Sequence, residues 1–242
     1  MFLVGALTNL LYPPACLLCR APLPDDRGAA GILCEACRRR MPRIEAPVCS
    51  RCGVGLRGSF DAQLLCSMCR ATPLAFDLAR SPWWYDGSAQ EAIRQFKYAR
   101  RWRIGRLLAL EMAAAARSAL PLDDVDAVLP VPLHWLKRRL KGFHPPAYLT
   151  HVIASALNKP YLSSALRRVR WTATQTALGW HQRFRNVDRA FAARGASVAG
   201  RSVLLVDDVL TSGATADACA RTLKAAGARR VFLLTAARTP IR

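Results

Sequence analysis

The sequence predicts an α/β protein: a domain on a parallel sheet, preceded by a small metal-stabilised segment. Three observations carry this. Eight cysteines between residues 16 and 69 form four C-x-x-C pairs. Beyond residue 76 the text alternates apolar strand-like runs with helical periodicity. One such run, VLLVDDVLTSGAT at 203–215, ends in two adjacent carboxylates and a loop of small and hydroxylic residues. At 242 residues the chain can bury one substantial core and a smaller one, which divides it into 1–75 and 76–242.

Residues 1–11, MFLVGALTNLL, are apolar but lack a basic flank, and YPPAC ends the run well short of membrane-spanning length. They are expected to pack as a short amphipathic helix, and no membrane insertion and a cytoplasmic location follow. The pairs are Cys16/Cys19, Cys34/Cys37, Cys49/Cys52 and Cys66/Cys69, with 14 and 13 residues inside the first and second halves. Two residues between thiolates let both face one tetrahedral ion, and the longer separations suit zinc ribbons. Two structural Zn2+ sites are therefore expected. Spacing leaves open whether the first pair shares its ion with the second or the third; sequential pairing is the simpler arrangement and is the one expected here. Four thiolates leave no open coordination position, so the zinc stabilises and does not catalyse. Cys219, alone in a helical stretch, reads as a buried small side chain.

In the second part, residues 91–120 read as one or two helices, DAVLPVP as a buried strand and PPAYLTHVIASALN as a helix opened by proline. RSVLLVDD then reads as a strand, TADACARTLKAAGA as a helix closed by glycine and RRVFLLTAAR as a final strand. Ligands of such sheets bind at the carboxyl ends of strands, where Asp207 and Asp208 fall. The loop after them, Thr211, Ser212, Gly213, Ala214 and Thr215, offers hydroxyls and a helix start for a phosphate. Neither a Walker A motif nor G-x-G-x-x-G occurs there. The run thus asks for a ligand with a terminal phosphate plus vicinal hydroxyls or a magnesium ion.

LLVDDVLTSGAT resembles the phosphoribosyl pyrophosphate (PRPP) motif of type I phosphoribosyltransferases. With the four C-x-x-C pairs, LLYPPACLLC, IRQFKY, LPVPLH, RVRWTATQTALGWHQRFRNVDRAF and the terminal LLTAAR, the whole chain resembles the ComF/GntX family. That resemblance implies a double zinc ribbon followed by a phosphoribosyltransferase-type domain. It gives Asp207 and Asp208 the ribose hydroxyls with Mg2+, and Thr211–Thr215 the 5-phosphate. It also implies a part in DNA uptake during natural transformation, with proteins of the uptake machinery as partners. One departure stands out: Lys141, Gly142, Phe143, His144 and Pro145 replace the family's R-G-F-N-Q, losing a bidentate fork and a backbone donor.

The chain carries 36 Lys and Arg against 16 Asp and Glu, a net +20, and most of the excess follows residue 80. Basic residues interleave with aromatics in 96–106 and 134–144, and again at Trp171, Trp180, His181, Arg183, Phe184 and Arg185. Such mixtures suit single strands, whose phosphates meet cations while bases stack on rings. Lys97, Arg100, Arg101, Arg103, Arg138, Arg139 and Lys141 are the residues expected to bind single-stranded DNA. Residues 167–186, weakly periodic and rich in Arg, Thr and Gln, read as a lid. Whether the chain turns PRPP over onto an acceptor, as a true phosphoribosyltransferase, or uses it as a regulatory signal is not legible, and neither is its oligomeric state.

Overall fold

The computed structural model describes residues 14–23, 32–58, 64–172 and 179–240, with the side chains of Lys137, Arg138, Lys141, Trp180 and His181 left aside. The expected helix at 1–11 lies outside this set. Two one-turn helices, α1 (Glu35–Arg39) and α2 (Ser67–Ala71), follow the first cysteine of a pair. The reason is local: the Cys34 and Cys66 sulfurs cap these turns, accepting the backbone N–H of Cys37 and of Cys69 at 3.4 Å.

The sheet is parallel, in the order β1 (Leu78–Arg80), β7 (Arg230–Arg238), β6 (Ser202–Leu210), β3 (Ala127–Pro130). A short β2 (Trp83–Trp84) resumes the pairing of β1 along β7 after Ser81 and Pro82. The strands of β6 and β7 alternate between two cores. Leu204, Val206, Phe232 and Leu234 face Ile104, Leu108 and Met112 of α4 (Trp102–Ala119), and Leu149 and Ile153 of α6 (Pro145–Leu157). Val203, Leu205, Val231 and Leu233 face Cys219 and Leu223 of α9 (Ala214–Ala225). Both cores also take in cysteines: Cys16 and Cys37 join the first, Cys49, Cys52, Cys66 and Cys69 the second. The ribbons are therefore packed onto the sheet domain.

The stretch read as one or two helices is two: α3 (Gly87–Ala99) ends where Arg100 turns left-handed at φ +51°, and α4 starts at Trp102. Gly105 permits their close crossing, since a Cβ there would lie 2.3 Å from the Phe96 ring. Elements not foreseen include α5 (Trp135–Lys141), the antiparallel pair β4 (Leu166–Arg168) and β5 (Phe191–Ala193), α7 (Trp180–Val187) and the single turn α8 (Gly195–Val198). The expected lid falls partly on β4 and α7, and its residues 173–178 lie outside the described set. Among the described residues no helix is long and apolar enough to cross a membrane.

Candidate ligand site and metal centres

Strand β6 runs two residues past Asp208, so the two carboxylates sit within its last turn of pleat and not at its final residue. Asp207 is opposite Thr235 of β7, and its carboxylate accepts the N–H of Asp208 at 2.8 Å. Thr211 is exposed and Ser212 buried. Gly213, at φ +83°, caps the start of α9 in a left-handed conformation costly to any residue with a Cβ. The Ala214 N–H donates to the Ser212 hydroxyl oxygen at 3.4 Å, and the start of α9 lines, with Asp207, Thr211 and Gly213, a loop cavity of about 90 Å3.

A larger pocket, about 390 Å3, shares Asp207 and Thr215 with that cavity and adds Asp208, Lys97, Arg100, Val131, His144 and Arg168. Lys97 reaches from α3 to Asp208 at 2.7 Å. Burial and the adjoining Asp208 push the Asp207 carboxyl up to about 8, against the pull of Lys97 and Arg168. Burial opposes the Lys97 ammonium, yet Asp208 outweighs it and raises the lysine above its ordinary value. Arg168 of β4, which lines the same pocket, stacks over Phe191 at 5.3 Å and donates to the Thr172 hydroxyl. The Arg168 Nε is buried without a hydrogen-bond partner among the described residues.

The loop is buttressed by the second ribbon. Leu74 lies where a Gly213 Cβ would meet it at 3.4 Å, and the Ala75 N–H donates to the buried Asp217 carboxylate of α9 at 2.7 Å. Arg51, between Cys49 and Cys52, holds the Leu74 carbonyl at 2.6 Å. This support was invisible in the sequence, because 142 residues separate Ala75 from Asp217.

The eight paired cysteines gather as Cys16, Cys19, Cys34, Cys37 and as Cys49, Cys52, Cys66, Cys69, each set with all sulfurs within 4.8 Å of one another. Pairing is sequential. Cys19 and Cys34 approach to 3.5 Å, Cys52 and Cys66 to 3.6 Å, near the roughly 3.8 Å edge of a zinc tetrathiolate with Zn–S about 2.3 Å. Backbone N–H groups point at the sulfurs, Cys52 and Cys66 both donating to Cys49. Soft ligands, tetrahedral grouping and oriented amides fit zinc. Cys219 is fully buried, and that burial raises its thiol well above the ordinary value.

The expected nucleic-acid residues divide. Lys97 belongs to the pocket, and Arg101 donates to the Leu17 carbonyl at 3.3 Å, tying α4 to the first ribbon. Arg100, Arg103 and Arg139 are exposed; Arg138 and Lys141 have no described side chains. Around the exposed arginines stand aromatics: Tyr98 is 75% exposed, Trp135 64% and Trp102 47%. Trp102, Trp135, Arg139 and Tyr148 line a surface groove that meets the pocket at Phe143 and His144. Phe143 is itself consumed by packing, 5.3 Å from Phe96 and 4.5 Å from Trp102.

Comparisons with known proteins agree with this layout. The double zinc ribbon domain family matches residues 7–71, and the phosphoribosyl transferase domain family residues 161–242. The chain is 33% identical over 234 residues to the DNA utilization protein YhgH of Escherichia coli (strain K12), covering 95% of this chain and 99% of that one. It is 28% identical over 221 residues to Competence protein F of Haemophilus influenzae, covering 89% and 93%. An amidophosphoribosyltransferase of Pasteurella multocida is 29% identical over 140 residues, 58% of this chain and 25% of that one.

Proposed function

Because this chain belongs to the ComF/GntX family, a double zinc ribbon joined to a phosphoribosyltransferase domain, we propose that it binds PRPP with Mg2+ and single-stranded DNA and serves DNA uptake. The observation that supports the reading is that two neighbouring cavities share Asp207 and Thr215 in their lining, the smaller at the loop suited to a phosphate and the larger to a ribose and pyrophosphate. The loop hydroxyls and helix N–H groups hold the 5-phosphate, and Asp207 and Asp208 accept from the ribose hydroxyls. Mg2+ supplies charge neutralisation to the pyrophosphate when bound. The division near residue 75 then separates a structural zinc module from the ligand-binding domain.

DNA enters the proposal from the names of the relatives and from the aromatic groove with its exposed arginines, chemistry suited to stacked bases and tracked phosphates. That groove meets the donor pocket, which favours a strand lying beside bound PRPP.

The test is calorimetric titration of the zinc-loaded chain with PRPP and Mg2+, repeated in Asp207→Asn/Asp208→Asn and with single-stranded DNA present. Micromolar binding lost in the double variant supports the donor site, and an altered PRPP affinity with DNA makes the ligands coupled. For DNA, Trp135→Ala is expected to cost about 1–3 kcal/mol and Arg103→Ala to lower the salt slope by about one. An affinity indifferent to salt refutes the DNA assignment.

A further inference from the structure

We infer that Lys97 and Arg168 are the cations that hold the pyrophosphate; the inference rests on the donor-site reading above. Both line the 390 Å3 pocket, Lys97 from α3 and Arg168 from β4, together with the two carboxylates, and the charges of both act on Asp207. Of the 141–145 segment, Phe143, His144 and Pro145 also line the pocket, but none of the three brings a fixed positive charge to it. Phe143 is buried against Phe96 and Trp102, the His144 ring lies 3.0 Å from the Val131 carbonyl, and Pro145 opens α6 without an N–H to offer.

Charge supports the assignment. Lys97, Arg100 and Arg168 line the pocket with the two carboxylates Asp207 and Asp208, so cations outnumber anions there even with both acids ionised. Arg168 also keeps a buried Nε with no acceptor among the described residues, a donor that costs free energy until an anion arrives. The atom is closed to solvent, so the guanidinium must swing toward the pocket for a pyrophosphate oxygen to satisfy it. Lys97, 23% exposed and unbranched, can turn from Asp208 to a phosphate as the ribose hydroxyls take over that carboxylate.

The experiment compares affinities of the zinc-loaded full chain for PRPP with Mg2+, for magnesium pyrophosphate and for ribose 5-phosphate, in wild type, Lys97→Met, Lys97→Arg and Arg168→Met. Loss of one charge-assisted contact predicts a fall of about tenfold or more for PRPP and pyrophosphate in both Met variants. Ribose 5-phosphate should change by less than about threefold, and Lys97→Arg should recover part of the loss. Equal losses for PRPP and ribose 5-phosphate would mean that Lys97 merely neutralises Asp208, and unchanged pyrophosphate binding would likewise overturn the inference. Wild type that binds none of the three refutes the donor site itself, whereas wild type that binds ribose 5-phosphate but not pyrophosphate refutes only the two cations. Arg168 packs on Phe191, so its variant is first checked for an unchanged melting transition; Lys97→Met decides the matter if that check fails.

Discussion

On the donor-site reading, protonation of Asp207 ties stability to ligand binding. Its folded carboxyl is raised from an ordinary 3.8 to about 8, by burial first and by Asp208 second. The folded state therefore holds a proton that the unfolded state has lost, and stability should fall as pH rises between about 4 and 8. In Asp207→Asn that slope should flatten, with the variant gaining on wild type at pH 8; thermal melts at fixed ionic strength read it directly. Parallel curves would mean that the carboxyl is ionised throughout. The same proton must leave when the diol or Mg2+ needs a second anion, so PRPP affinity should climb over the same interval. The sequence alone singles out this residue, as one of two adjacent acids before T-S-G-A-T. Its protonation is not legible there, because burial, Lys97 and Arg168 come from three distant parts of the chain.

Among the elements, those with a long apolar period were readable and those fixed by tertiary contacts were not. β6, β7, α6 and α9 alternate or repeat clearly enough that their interiors follow from side-chain pattern alone. The three-residue β4 and β5 have no period to detect, yet β4 places Arg168. Likewise the 72–77 segment, unremarkable as text, links the second ribbon to α9 through Ala75 and Asp217. Asp217 also pairs with Arg221 at 2.6 Å. Replacing it in Asp217→Ala leaves the Ala75 N–H without its acceptor, at a cost of about 1–3 kcal/mol. Denaturant titration should show that loss, and PRPP affinity should weaken with it because the start of α9 loses its brace. A destabilised variant with unaltered affinity would show the loop to be held by Gly213 and Leu74 alone.

Across the whole molecule the two metal centres are unequal, and the fold says how. Cys49, Cys52, Cys66 and Cys69 are all buried inside a core shared with the sheet and α9, whereas Cys19 of the other centre is exposed. A zinc tetrathiolate carries two negative charges, which a low-dielectric interior tolerates only beside positive ones. Arg238 answers for the second centre: it is 1% exposed, its three guanidinium nitrogens lack hydrogen-bond partners among the described residues, and its charge favours the Cys52 thiolate. Its place on β7, opposite Trp84, ties that centre to the same strand that flanks Asp207. Metal loss from the two centres should therefore separate in time. With excess chelator and a colorimetric zinc indicator, one equivalent should leave readily while the fold persists, and the second only at the rate of global unfolding. Arg238→Met should accelerate the slow phase and spare the fast one, and Cys19→Ser should abolish the fast phase. Release of both equivalents in a single phase would show that the ribbons open as one unit, and the buried guanidinium would then have no special claim on the second centre.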